Sequence, residues 1–211
     1  VLAQHALGLG GAENLTMDLL LHVGTLLAVI ISFRADLLRL VAGIFSDRDQ
    51  QRLAVLLVIA MVPTAVIALS IRRFIAGAFD SPATVGFLLI ATGAFLYVAP
   101  RRQKASRPLS ALGLREALCI GAAQGVAALP GVSRSGTTIG AGMIGGLSGE
   151  ASARFSFLLA ILAITAAMVL NIPTAASLAE TQLSTVAVGM IVAFASGMLS
   201  IRWLMRVARR G

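Results

Sequence analysis

Five stretches of the chain carry almost nothing but apolar side chains, and each is closed by a charged or turn-forming segment. They run from Leu15 to Phe33, Leu53 to Ile71, Thr84 to Ala99, Phe155 to Leu170 and Val186 to Met205. Their lengths are near the roughly 20 residues an α-helix needs to cross a hydrocarbon core of about 30 Å. The pattern predicts an all-α, polytopic membrane helix bundle. Asp18 and His22 interrupt the first stretch four residues apart, on one helix face, where they line a cavity, bind metal or simply satisfy each other. Pro63 predicts a kink in the second, since a membrane helix tolerates proline where neighbours satisfy the freed carbonyl. Gly77 to Pro82 has the composition of a turn, and the last two stretches are separated by a polar loop with Asn171, Pro173, Glu180 and Gln182.

Two shorter apolar arms, Leu112 to Leu129 and Thr137 to Leu147, lie between the third and fourth stretches. At about 1.5 Å per residue the second arm is too short to cross. The positions of the arginines decide how the arms run. Basic residues cluster at Arg34, Arg39, Arg48 and Arg52, at Arg101, Arg102, Lys104 and Arg107, and at Arg202, Arg206, Arg209 and Arg210. Such clusters mark cytoplasmic loops and are attracted to anionic headgroups. If all three are cytoplasmic, the segment from Arg107 to Arg154 starts and ends on that side. A re-entrant helical hairpin over about residues 112–147 meets this requirement, with its tip carried to around mid-membrane and opening outward, within one integral membrane domain spanning 1–211. Half-helices meeting inside a membrane are a recurrent way to build a polar site, often within inverted repeats.

Composition agrees. Apolar residues make up 58% of the chain and charged residues 12%, against about 25% charged in soluble domains. The mean hydropathy is +0.92. The net charge of +8 does not point to nucleic acid, because aromatics are only 5% and the basic residues form no single stripe. Cys119 is the only cysteine, which excludes an internal disulfide and leaves it a packing role in an apolar run. Glu150 and Arg154 are spaced as a solvated i,i+4 pair, and Arg72 and Arg73 sit on the outer side against the charge rule. With Val1 first and no signal-peptide pattern, the chain reads as an internal piece of a longer protein.

The loop between the two arms reads Pro130-Gly131-Val132-Ser133-Arg134-Ser135-Gly136-Thr137-Thr138. A guanidinium within a membrane segment costs roughly 2.5 kcal/mol or more, so it normally faces a cavity and serves a ligand or partner. The amides opening the second arm would lie beside it, at the positive end of a helix dipole. Hydroxyls at Ser133, Ser135, Thr137 and Thr138 add donors, and Arg134 is shaped to hold two phosphate oxygens. Phosphate or diphosphate is the ligand this chemistry suits. The competing reading makes the hydroxyls helix caps and pairs Arg134 with carboxylate or carbonyl groups in a transporter gate. Gln124 is placed to hydrogen-bond the tip from the first arm.

The segment from Pro130 to Ile139 resembles the signature of the undecaprenyl-diphosphate phosphatase family of bacterial membrane enzymes, also known from bacitracin resistance. Leu21 to Val29, Gly121 to Gly125 and Phe155 to Ala160 also resemble family stretches. The resemblance implies hydrolysis of a C55 polyprenyl diphosphate to the monophosphate and inorganic phosphate in the inner membrane, which recycles a carrier for peptidoglycan synthesis. It implies catalytic roles for Arg134, Ser133 and Ser135, and substrate binding by Gly131, Gly136, Thr137, Thr138 and Gln124. The family's Glu-x-x-x-Glu motif and its last hydrophobic segment do not occur in these residues, and His5 is not the family's active-site histidine. Diphosphate hydrolysis commonly uses Mg²⁺ held by carboxylates. With that motif missing, the 211 residues alone are expected not to turn over substrate. A polyprenyl-phosphate transporter using the same loop is the alternative function; a homo-oligomer is left open.

Overall fold

The computed structural model describes residues 12–74, 81–103, 106–170 and 183–209. Its described residues form eight α-helices and one 3₁₀ turn. They are α1 (Ala12–Ser32), α2 (Arg34–Gly43), α3 (Arg48–Ser70), α4 (Pro82–Arg102), the 3₁₀ turn Leu109–Ala111, α5 (Leu114–Val126), α6 (Arg134–Ile144), α7 (Gly149–Leu170) and α8 (Leu183–Ala208). Helices α3, α4, α7 and α8 are long and apolar enough to cross a membrane, and Leu21–Ser32 of α1 is a shorter apolar run. The chain is thus an all-α polytopic membrane bundle. His5, the side chain of Asp18, the turn at 77–80, Lys104, the loop at 171–182 and Arg210 lie outside what is described.

Local chemistry sets the ends. Asp47 caps α3 by accepting from the Asp49 amide at 2.8 Å, and Ser81 caps α4 ahead of Pro82 at the first helical position. Helix α3 continues unbroken through Pro63. The stretch from Arg34 to Arg52, expected as a loop, instead holds α2. Its charges hide a helix whose Leu37 and Leu40 pack against the core while Leu38 and Val41 stay exposed.

Helix α7 is the centre of the bundle. One side packs Phe155, Leu158 and Leu159 against Leu56 and Leu57 of α3 and Ile120 of α5. The other packs Phe157 and Ile161 against Val29 of α1, Phe33 at the α1–α2 junction, Ile139 of α6 and Ile201 of α8. Phe33 and Phe157 stack with ring centroids 4.9 Å apart. The outer faces expose Val58, Phe87, Ile90, Leu199 and others, the surface expected toward lipid. Cys119 is exposed as well.

Helices α5 and α6 form the hairpin. At 13 and 11 residues they are about 20 and 16 Å long, so neither crosses. The base of the hairpin is stitched together: the Arg107 amide donates to Gly146 O at 3.0 Å and the Ser148 amide to Arg107 O at 2.8 Å. Arg52 bonds the carbonyls of Ser110 and Leu112, both at 2.7 Å. Arg154 bridges Asp36 at 3.1 Å and Glu150 at 2.9 Å, and Arg209 joins Glu150 at 3.3 Å. The expected Glu150–Arg154 pair is therefore part of a network tying α2, α7 and α8 into one basic rim.

Small residues bring the hairpin close to its neighbours. A Cβ on Gly121 would strike the Ala60 carbonyl of α3, and one on Gly140 would lie 2.5 Å from the Phe95 ring of α4. Thr64 Oγ1 lies 2.8 Å from both Ala60 O and Gly121 O, joining α3 to α5. Gly125 faces Thr64 and Ile67, near the end of α3, and Gly131 faces Val85, one turn into α4. The turn at 127–132 thus reaches the level of the first turns of α4, while Gly136, just after Arg134, lies beside Leu96 further along that helix.

Candidate functional site

The tip is shaped by one glycine and one serine. Gly131 has φ +93°, a left-handed conformation that L side chains rarely adopt, and its missing Cβ would fall 2.5 Å from Val85 O. Ser133 is the N-cap of α6, its Oγ accepting from the Gly136 amide at 3.2 Å. Arg134 is therefore the first residue of the helix, at the end where backbone N–H groups lack intrahelical acceptors and the dipole is positive.

Arg134 and Ser135 line a cavity of about 350 Å³ between the tip, α1 and α7. His22 and Thr25 of α1 and Ser156 of α7 supply its other polar groups; Val29, Val132, Phe157 and Ile164 are among its apolar walls. Among the described residues the Arg134 side chain has no hydrogen-bond or ion-pair partner. Several arginines at the basic rim are tied down, Arg101 donating to Tyr97 O at 2.6 Å and stacking on its ring while Arg52, Arg107, Arg154 and Arg209 hold carbonyls or carboxylates, and the rim arginines without a partner, such as Arg202 and Arg206, are exposed where Arg134 is half-buried. A half-buried guanidinium without a protein partner, beside a helix N-terminus, is complementary to an anion.

The remaining sequence-predicted residues take different positions. Thr137 donates to Ser133 O at 2.7 Å, and fully buried Thr138 lies 2.8 Å from Arg134 O while its hydroxyl meets that of Ser156. These contacts hold the first turn of α6 in shape. Gly136 lets that turn approach Leu96 of α4, where a Cβ would come within 2.9 Å. Gln124 is buried against α3, its Nε2 3.4 Å from Thr64 Oγ1 and its Oε1 without a partner. It is not among the residues lining the cavity.

Sequence reasoning passed over Thr25 and Ser156 and gave His22 only a shared chance of lining a cavity. A signal was nonetheless present. Leu21 to Val29 and Phe155 to Ala160, quoted for their family resemblance, hold His22, Thr25, Val29, Ser156, Phe157 and Ala160, all of which line this cavity. Magnesium prefers carboxylate, phosphate and water oxygens. The described lining contains no carboxylate, and no group of three or more His, Cys, Asp or Glu able to hold a metal occurs among the described residues. The described lining therefore offers Mg²⁺ no carboxylate.

Fold and site together define a polytopic membrane protein with a polar, anion-complementary hairpin tip set among its helices. The family model for bacitracin resistance protein BacA matches residues 1–211, and the chain belongs to that family. Among its relatives, the undecaprenyl-diphosphatase of Syntrophotalea carbinolica is 38% identical, with 99% of this chain and 81% of the relative covered. Those of Carboxydothermus hydrogenoformans and Rhodopirellula baltica are 37% and 40% identical, covering 100% and 93% of this chain and 80% and 76% of the relatives.

Proposed function

We propose that this protein hydrolyses undecaprenyl diphosphate to the monophosphate and inorganic phosphate, returning the lipid carrier to cell-wall synthesis. The observation that carries this reading is the unpartnered Arg134 guanidinium, next to Ser135 at the first turn of α6, facing a cavity. Its two-pronged donor set holds oxygens of the diphosphate, with the α6 amides and Ser135 Oγ as further donors. As water attacks the terminal phosphorus and the bond from that phosphorus to the bridging oxygen breaks, the polyprenyl monophosphate leaves and charge shifts among these oxygens, where fixed donors stabilise it without reorganisation. Ser133 and Thr138 act indirectly, by fixing the helix turn that presents Arg134, and Gly131 by setting the turn before it. Apolar walls of the cavity and the lipid-facing helices suit the polyprenyl chain. The names of the relatives favour hydrolysis over transport.

With the basic rim cytoplasmic by the positive-inside rule, the tip lies toward the outer half of the inner membrane. Mg²⁺ dependence is part of the proposal, with ligands other than the described residues. Gly140 and Gly145 make their closest contacts inside the chain, to Phe95 and Glu116, so no interface between copies is assigned to them.

The test is phosphate release from a long-chain polyprenyl diphosphate in detergent, using the protein produced from its whole gene, with and without Mg²⁺ and beside Arg134→Ala. Metal-dependent release that collapses in the variant is expected. Arg134-dependent lipid binding without release would favour transport instead. Running the 211-residue chain alone in the same assay checks the expectation that it does not turn over substrate.

A further inference from the structure

A second cavity, of about 750 Å³, opens at the basic rim between the α1–α2 junction and the end of α8, away from the hairpin tip. Five arginines line it against one aspartate. Asp36 is engaged by Arg154, and Arg209 by Glu150. Arg34, Arg202 and Arg206 have no hydrogen-bond or ion-pair partner among the described residues, and all three are exposed. Three like charges therefore converge on one concavity with no ion-pair partner among the described residues, the single aspartate of the lining being engaged by Arg154.

The wall formed by α8 changes character along its length. Met198, Ile201 and Arg202, then Met205, Arg206 and Arg209, recur at three- and four-residue spacing, so they share one helix face. The part of this face toward the bundle is apolar and lines the cavity together with Ile31; the part toward the rim is cationic. Trp203, 65% exposed, is the residue after Arg202 on α8, and Tyr97, also 65% exposed, stacks under Arg101 in the last turns of α4. Aromatic residues with an apolar body and a polar edge favour the depth of lipid headgroups. The cavity thus presents apolar surface toward the bilayer interior and guanidinium groups at headgroup level.

We propose that this cavity binds the phosphate-bearing headgroup of an anionic membrane phospholipid, with Arg34, Arg202 and Arg206 holding the phosphate oxygens and Ile31, Met198 and Ile201 against the glycerol and first acyl carbons. Basic pockets between membrane helices are suited to such headgroups. Arginine bonds phosphate oxygens in pairs, and this favours a seated headgroup over diffuse attraction to the surface. A bound lipid would also link the ends of α1 and α8 by bridging charges that otherwise repel.

Purified protein in neutral detergent is titrated with phosphatidylglycerol or phosphatidylcholine, and bound lipids are counted by native mass spectrometry. The expected result is one saturable phosphatidylglycerol site, preferred at least about tenfold over phosphatidylcholine. The pair Arg202→Gln/Arg206→Gln should weaken it about 30-fold, at roughly fivefold per arginine. Arg34→Gln on the opposite wall should weaken it about fivefold and gives an independent reading if the pair folds poorly. Arg72→Gln/Arg73→Gln, at the other end of α3, should leave it unchanged. Equal binding of the two lipids, or unchanged binding in both Arg34→Gln and the folded pair variant, would overturn the proposal. Inorganic phosphate that competes as strongly as the lipid would also overturn it, by assigning the site to a soluble anion.

Discussion

Arg107 donates to Glu116 in the first arm of the hairpin and to the Gly145 carbonyl at the end of the second, closing the base whose tip carries Arg134. Glu116 also accepts from the Gly113 amide at 3.0 Å, fixing the start of α5. This guanidinium therefore joins the two arms at the rim, outside the membrane-crossing stretches, beside the backbone bonds of Arg107 to Gly146 and Ser148.

The hydrogen bond from Arg107 holds the Glu116 carboxyl below its ordinary pKa, against the opposing effect of partial burial. A depressed carboxylate pKa contributes stability that is complete above the unfolded value, about 4.5, and is lost as pH falls through the lower folded value. Glu116→Gln should cost about 1 kcal/mol at neutral pH, below the usual range for a charged hydrogen bond because Arg107 is partly solvated. Thermal melts in detergent should show the gap between the two proteins closing as pH drops below the glutamate range. A gap independent of pH would mean that Glu116 acts through packing.

Arg134→Ala should lower phosphate release by about 10²-fold or more, with Arg134→Lys between it and the parent because lysine keeps the charge and loses the fork. The melting temperature should not fall, since no described protein group depends on this guanidinium. Loss of stability in step with activity would make Arg134 a structural residue.

Gly131→Ala should destabilise by on the order of 2 kcal/mol or more, combining left-handed backbone strain with overlap against Val85 O. It should also reduce activity, because the turn positions Arg134. Gly86→Ala and Gly93→Ala, whose added methyls meet nothing within 4 Å, should be neutral or stabilise by up to about 1 kcal/mol. Denaturation in a common detergent compares the three.

Thr138 and Ser156 share a hydrogen bond between the hairpin and α7, with both side chains buried. Thr138→Val should cost about 1–3 kcal/mol by leaving polar groups unsatisfied. Combined with Ser156→Ala, the loss should be less than the sum of the single losses, with a coupling of about 0.5 kcal/mol or more in the double-mutant cycle. Additive losses would show that the two hydroxyls are energetically independent.

Much of the architecture was legible in the chain because a bilayer imposes few solutions. Apolar length marks α1, α3, α4, α7 and α8, and the arms that became α5 and α6 are too short to cross. Their flanking arginines required a hairpin, which Arg107 and Ser148 close at its base. Helix α2 escaped because its Arg34, Asp36 and Arg39 mask an apolar face that pays off only against the packed core.

At the site, the sequence by itself determined that a guanidinium and several hydroxyls sit in a glycine-bounded turn within a membrane segment, since burying such a charge in lipid without purpose is too costly. Only the tertiary structure decided which groups face the cavity. Thr137 and Thr138 bond the carbonyls one turn before them, Gln124 turns to α3, and His22, Thr25 and Ser156 arrive from α1 and α7 to meet Arg134 and Ser135. Hydropathy and helix length are properties of the chain alone, whereas a hydroxyl's partner and a side chain's facing depend on helices that meet only when the bundle packs.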